Sequence, residues 1–177
     1  MTRTPVIRTT AEVELPQILA VYPLAFPDEE LRPLVSGLIE GEAEVLSLGA
    51  FEGSALVGHV LFTLFGVQGD RDKGAGALLA PLAVLPDYQG QGLGSALVKQ
   101  GLLQLTSMGT RQVFVLGDPN YYGRFGFQIE HHAKPPYPLP EEWRGAWQSM
   151  VLSDAKPLTS GHCRLPGAWM EPALWQP

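Results

Sequence analysis

The stretch Gln89–Gly94, QGQGLG, sets glycine at 90, 92 and 94 just ahead of a helix-like pattern. Glycine reaches backbone conformations closed to other residues and has no Cβ to hold a ligand away, so main-chain N–H groups can close on it. The first amides of a helix have no partner within the helix, and the helix dipole favours negative charge there. The chemistry that suits this combination is phosphate binding. Two linked phosphates can be held by amides and dipole without lysines. A strand-to-helix turn with no ligand explains one glycine comfortably and three in alternation, flanked by Gln89 and Gln91, poorly.

Three phosphate-loop templates separate on spacing. The dinucleotide pattern G-x-G-x-x-G fails, because Ser95 stands where a glycine is needed counting from Gly90, and Leu97 where one is needed counting from Gly92. The triphosphate loop G-x-x-x-x-G-K-[ST] fails because Lys99 does not follow a glycine. The pattern Q/R-x-x-G-x-G/A is met by Gln89, Gly92 and Gly94, and Gly90, Gln91 and Ser95 complete the loop.

The elements that must position this loop read as follows. A buried strand over 77–86 precedes it. A helix follows, with Leu93, Leu97, Gly101, Leu105 and Met108 as its core-facing stripe. A strand is predicted at 5–10, and a helix after Thr9 and Glu12, which stand three apart as in a capping box. Pro16 suits the first turn of that helix, and Pro23 must bend or end it. A second short helix is predicted over 28–39, with Asp28, Glu29 and Glu30 at its start. Two strands joined around Gly53 follow, then a glycine-rich charged loop at 66–77. Beyond the helix come a strand at 111–118, the turn PNYYGRFGF, strands near 128 and 147, and a proline-rich connection between them. The tail from about 153 is irregular, with Trp169 and Trp175 expected to pack on the domain. One α/β (mixed α+β) domain over 1–177 is expected, without linker or repeat.

Composition bounds the function. The chain has 177 residues, 45% hydrophobic and 17% charged, with a formal net charge of −6. It is globular in composition, and its acidity argues against nucleic acid or an anionic membrane as partner. The one cysteine, Cys163, rules out an intrachain disulfide, fits a reducing cytoplasm and is expected to be a small buried or semi-exposed thiol. The apolar run 55–67 contains His59 and is too short to span a bilayer. His131 and His132, with His162 distant, have no metal-ligand spacing, and no metal is expected.

The loop pattern, together with PLAVLPDYQGQGLGSALV, YYGRFGF and the opening IRTTAEVELPQILAVYPLAF, resembles the GNAT superfamily of N-acetyltransferases. GDPNYYGRFGF and the Pro-Leu-Ala-Val strand resemble its YhbS-like branch of uncharacterised bacterial members. The resemblance implies a central mixed sheet of about six to seven strands, helices on both faces, and a parallel strand pair, 79–86 with 111–116, that splays apart. Pro86, which cannot donate to a ladder, either helps the strands part or simply ends a strand. Acetyl-coenzyme A is the implied co-substrate. Its pantetheine arm would be bonded by main-chain groups around Leu82, Ala83 and Val84, with the amide near Val84 polarising the thioester carbonyl.

In the family's Y-x-x-x-G-F, Tyr122 holds the tyrosine position, implying a hydrogen bond to the leaving thiol; an aromatic filling a corner is the other reading, and Tyr121 is expected to pack inward. Asn120 either touches the pantetheine arm or caps the turn, and Arg124 either approaches the phosphates or is a solvated cation. Many members carry a glutamate on the cofactor strand as general base, but here Pro81 or a neighbour stands in its place. His59, Asp28, Glu29, Glu30 and His132 are then the candidates, with a satisfied core histidine the competing reading for His59. The implied reaction is direct attack of a small-molecule or peptide amine on the thioester, by a cytoplasmic monomer or homodimer. The alternative is a catalytically weak acetyl-coenzyme A-binding sensor or interaction module.

Overall fold

The computed structural model describes residues 3–67, 74–158 and 161–177; most of the predicted charged loop, at 68–73, lies outside them. The elements are β1 (Val6–Thr9), α1 (Leu15–Ala25), α2 (Arg32–Glu40), β2 (Val45–Glu52), β3 (Ala55–Val67), β4 (Gly76–Val84), α3 (Leu93–Met108), β5 (Gln112–Leu116), α4 (Pro119–Tyr122), β6 (Gln128–Ile129), β7 (Ala133–Lys134), β8 (Trp147–Val151) and β9 (Gly161–Arg164). The fold is mixed α/β, as expected. By contacts the chain forms two compact units, Met1–Phe62 with Ala80–Leu103, and Thr63–Leu79 with Gln104–Pro177.

In the first unit the strand order is β1-β2-β3-β4. β1 and β2 are antiparallel, with Val6 opposite Phe51 and Thr9 opposite Leu48. Gly53, at φ +63°, makes the expected turn between β2 and β3. Pro16 sits in the first turn of α1, and Pro23 lies inside it, two residues before its end. The capping carboxylate is Glu14, not Glu12: it accepts the Ala11 N–H at 2.7 Å, while Thr9 stays in β1. α2 starts at Arg32, later than expected, because Glu30 binds the Arg32 side chain and N–H in the segment ahead of it.

Ile18, Val21 and Tyr22 lie on one face of α1 and pack with Val35, Phe51, Leu56 and Ala83 in one buried cluster. Each large apolar side chain so buried stabilises the fold by roughly 1.5–3 kcal/mol. Within this core runs a chain of hydrogen bonds. The Tyr22 hydroxyl lies 2.6 Å from His59 Nδ1, His59 Nε2 lies 2.7 Å from Ser47 Oγ, and Ser47 Oγ lies 2.7 Å from Thr10 Oγ1. Burial pushes the Tyr22 phenol up and the His59 imidazole down to about 3. The phenol therefore keeps its proton and donates it to Nδ1, which leaves Nε2–H to donate to Ser47. His59 is a satisfied core histidine.

In the second unit the order is β3-β4-β5-β8-β6, with β9 pairing both β3 and β7. β4 and β5 are parallel, whereas β8 is antiparallel to both β5 and β6. β7 and β9 are short strands within the proline-rich connection and the tail, where none was expected. The tail does pack, through aromatic rings: Phe65, Phe114, Trp147, Trp175 and Trp169 follow one another at centroid distances of 5.5, 5.6, 6.0 and 6.2 Å. Trp169 donates to Thr63 Oγ1 and Trp175 to the Trp169 carbonyl, so neither indole N–H is buried unpaired. Cys163 is buried, and burial pushes its thiol up to about 12.

α3 buries Leu97 and Leu105, but Met108 is half exposed, so the predicted stripe ends one turn early. Gly101 is on that stripe for a steric reason: a Cβ there would lie 2.2 Å from the ring of fully buried Phe62. Replacing a helical glycine by alanine ordinarily gains about 1 kcal/mol. Overpacking costs about 3 kcal/mol where a buried ring cannot move. Gly101→Ala should thus lose about 2 kcal/mol net in urea unfolding. His59 gives a pH test. Its folded value lies below the ordinary imidazole value of about 6.5, so its contribution is complete above that value and is lost as pH falls toward the folded one. Between pH 7 and pH 5 the loss should be about 2 kcal/mol, and His59→Gln should lack that part of the pH dependence.

Candidate functional site

The first unit carries the predicted loop. β4 ends at Val84, Pro86–Tyr88 form one 3-10 turn, and α3 begins at Leu93. Gly90 and Gly92 have φ of +72° and +81°, in the left-handed region. A Cβ at either would meet nothing within 4 Å. Their requirement is conformational, costing another residue roughly 1–2 kcal/mol. Gly94 is different, lying in the first turn of the helix with Ser95. The first helical hydrogen bond is Ala96 N–H to Gly92 O at 3.0 Å. The amides of Leu93, Gly94 and Ser95 precede it, and helix geometry gives them no partner behind them.

Both glutamines brace this turn. Gln89 Nε2 donates to the Val84 carbonyl at 2.9 Å and Gln91 Nε2 to the Asp87 carbonyl at 2.9 Å. The end of β4 alternates, with Ala83 buried and Leu82 and Val84 half exposed on the other face. The Leu85 N–H bonds the Val57 carbonyl at 3.0 Å. The parallel register of β4 with β5 consists of Gly76↔Gln112, Ala77↔Val113 and Leu78↔Phe114, while β4 runs on to Val84. That register stops well ahead of Pro86, so Pro86 is not what ends it.

The second unit holds Asn120, Tyr122 and Arg124. The cap of α4 is Asp118, whose Oδ1 accepts the Asn120 N–H at 2.9 Å; Asn120 does not cap the turn. A D-P pair at 118–119 is a cap-and-first-turn signature that reading PNYY alone passes over. Both tyrosines are half-buried, and Tyr122 packs inward as well as Tyr121. Tyr122 lies against Gly117, where a Cβ would come within 2.5 Å of its ring, and meets buried Phe127 edge-on at 5.8 Å. Tyr121 carries the Arg124 guanidinium 4.4 Å from its ring centroid. Arg124 Nε also donates to the Tyr121 carbonyl. Burial raises the Tyr122 phenol above its usual value.

Of the candidate bases, His59 has both nitrogens engaged. Glu30 is held down to about 2 by Arg32. Asp28 and Glu29 are exposed ahead of α2, and His132 is exposed with its N–H bonded to Glu130. A polar cluster that the sequence did not flag gathers around Glu130. Its Oε1 accepts the His132 and Ala133 amides at 2.8 and 3.1 Å, and its Oε2 accepts Gln112 Nε2 at 3.0 Å and the Ser149 hydroxyl. Among the described residues no group of three His, Cys, Asp or Glu is placed to hold a metal ion, and no helix is long and apolar enough to cross a membrane.

Comparison with known proteins bears on what this geometry serves. The model of the Acetyltransferase (GNAT) family matches residues 14–127. The uncharacterized N-acetyltransferase YjhQ of Escherichia coli K12 is 41% identical over 162 residues, covering 88% of each chain. The uncharacterized N-acetyltransferase YhbS of the same strain is 37% identical over 127 residues, 71% of this chain and 75% of the other. The structure of E. coli YhbS in complex with CoA superposes with a TM-score of 0.85 at 31% identity, covering 95% of this chain and 93% of that one. A GNAT acetyltransferase of Brucella melitensis in complex with acetyl-CoA gives 0.76 at 26% identity, covering 96% and 99%. Fold, loop pattern and relatives agree, and the chain belongs to the GNAT family of acetyltransferases.

Proposed function

We propose that this chain moves the acetyl group of acetyl-coenzyme A to a primary amine, the amine attacking the thioester directly while both are bound. The observation that carries the reading is the turn into α3, where left-handed Gly90 and Gly92 stand directly ahead of three partnerless helix amides. That arrangement fits a diphosphate. Acetyl-coenzyme A, when bound, supplies the activated acetyl group. The amides of Leu93, Gly94 and Ser95 hold the diphosphate, and Gln89 and Gln91 keep the turn in shape for it. Main-chain groups of Leu82, Ala83 and Val84 bond the pantetheine arm, and the amide near Val84 steadies negative charge on the carbonyl oxygen. In the same reading Asn120 touches the arm and Arg124 the phosphates. The complexes of YhbS with CoA and of the Brucella protein with acetyl-CoA support the choice of ligand. One domain serves the reaction, and the lone cysteine suits the cytoplasm.

Tyr122 donates a hydrogen bond to the leaving sulfur. A thiol with a value near 8.5 and a phenol near 10 make full proton transfer uphill by about 2 kcal/mol, and burial of Tyr122 increases the gap. The hydroxyl therefore stays protonated and acts as a donor. The amine must shed a proton as well, since only about one alkyl amine in 2,500 is neutral at pH 7. His59 and Glu30 are unsuited to receive it, which leaves Asp28, Glu29 and His132 among the candidates.

A second reading rests on Pro81, which lies on β4 where the family resemblance implies a glutamate base: a binding module that senses acetyl-coenzyme A and turns over weakly. Calorimetry with acetyl-coenzyme A, followed by steady-state assay of a panel of small and peptide amines, separates the two. Turnover by any amine supports the enzyme, binding without turnover across the panel supports the module, and absence of binding removes both. Tyr122→Phe should lower kcat about tenfold or more with little change in the KM for acetyl-coenzyme A. An unchanged kcat in a folded variant takes Tyr122 out of the chemistry.

A further inference from the structure

We propose that a cavity of ≈ 830 Å³ in the second unit binds a small organic anion with an apolar body. The cavity lies wholly within residues 129–162, and its size suits a ligand of drug-like dimensions. The proposal does not depend on the acetyl-transfer reading.

The chemistry of the walls selects the ligand. One wall is aromatic, formed by Tyr137 and Trp147. Their polar atoms are already committed: the Tyr137 hydroxyl donates to the Met170 carbonyl at 2.9 Å and Trp147 Nε1–H to the Ala133 carbonyl at 2.9 Å. Tyr137 thus offers apolar surface and no spare proton, while Trp147, stacked on Phe114 and buried, adds only a small apolar edge. The lining also carries cations. Lys134 and His162 stand side by side in the register of β7 and β9, and both line the cavity with Arg144. Arg144 lies 3.8 Å from Glu141 with both side chains largely exposed, an ion pair too weak to hold it away from a ligand.

The acid in the wall does not reverse this preference. Glu130 receives four hydrogen bonds, two at each carboxylate oxygen, so few lone pairs face an incoming cation. Of the residues lining the cavity, Lys134 and Arg144 are permanent cations and Glu130 is the one acid, its carboxylate engaged by neutral donors, on a chain whose formal net charge is −6. A local positive field on an acidic protein draws a complementary anion and repels like charge. The occupant that satisfies both parts of the lining has a carboxylate or similar anionic end and an aromatic or branched aliphatic body.

The test is direct binding to the full chain by ligand-observed NMR, with indole-3-acetate, 3-phenylpropionate and N-acetyl-leucine as probes, each beside its neutral amide. At least one acid should bind about tenfold tighter than its amide, and saturating coenzyme A should not displace it. Lys134→Gln with Arg144→Gln should abolish the preference while Tm and affinity for coenzyme A stay as in the wild type. Equal binding of acid and amide, no binding of any acid at millimolar concentration, a preference that survives the double substitution, or displacement by coenzyme A would each overturn the proposal. Because binding is read directly, failure of acetyl transfer leaves this result untouched.

Discussion

Where β4 gives way to α3, three amides at the start of the helix have no acceptor behind them, and this unmet demand governs the first unit. Buried or half-buried N–H groups must find an acceptor in water, side chain or ligand. Here the nearby side chains are otherwise engaged: Gln89 and Gln91 turn back to main-chain carbonyls. The left-handed glycines turn the chain from the strand into the helix. The apolar cluster of α1, α2 and β2–β4 supplies the rigidity that keeps so irregular a turn in place.

The second unit is held by a different economy. Its tail and proline-rich connection have little regular structure, yet each is tied by a polar bond to something firmer. Glu130 gathers β5 through Gln112 and β8 through Ser149, and Gln112 in turn accepts the Leu158 N–H of the tail. The tryptophans add area and spend their N–H groups inside. Prolines at 135, 136, 138 and 140 reduce the entropy lost on ordering.

Much of the fold was legible because it rests on local rules. Gly53 marked a hairpin, apolar runs marked β3, β4 and β5, and the three- and four-residue spacing marked α3. Local rules also failed in identifiable ways. Thr9 and Glu12 satisfy a capping-box pattern, yet Arg8 grips Glu14 at 2.6 Å and moves the cap along the chain. The strand at 161–164 carries no alternation strong enough to be seen, because its partners β3 and β7 are distant in sequence. At the site, the glycine pattern located the loop, but not that Gly90 and Gly92 are left-handed while Gly94 lies within the first turn of the helix. The inward packing of Tyr122 was decided by Gly117, a residue whose role depends on a ring five positions away. The Glu130 cluster was invisible because its members come from three separate segments.

The single bond from Gln89 to the Val84 carbonyl has a mechanical meaning. It ties the turn to the last residue of the strand, so movement of one is resisted by the other. Under the proposed binding mode, a molecule gripped at one end by the turn and at the other by the strand would be measured against a ruler of nearly fixed length. Such a ruler rejects chains that are too short or too long without touching their chemistry, and slack in the one amide bond would blur its gradation.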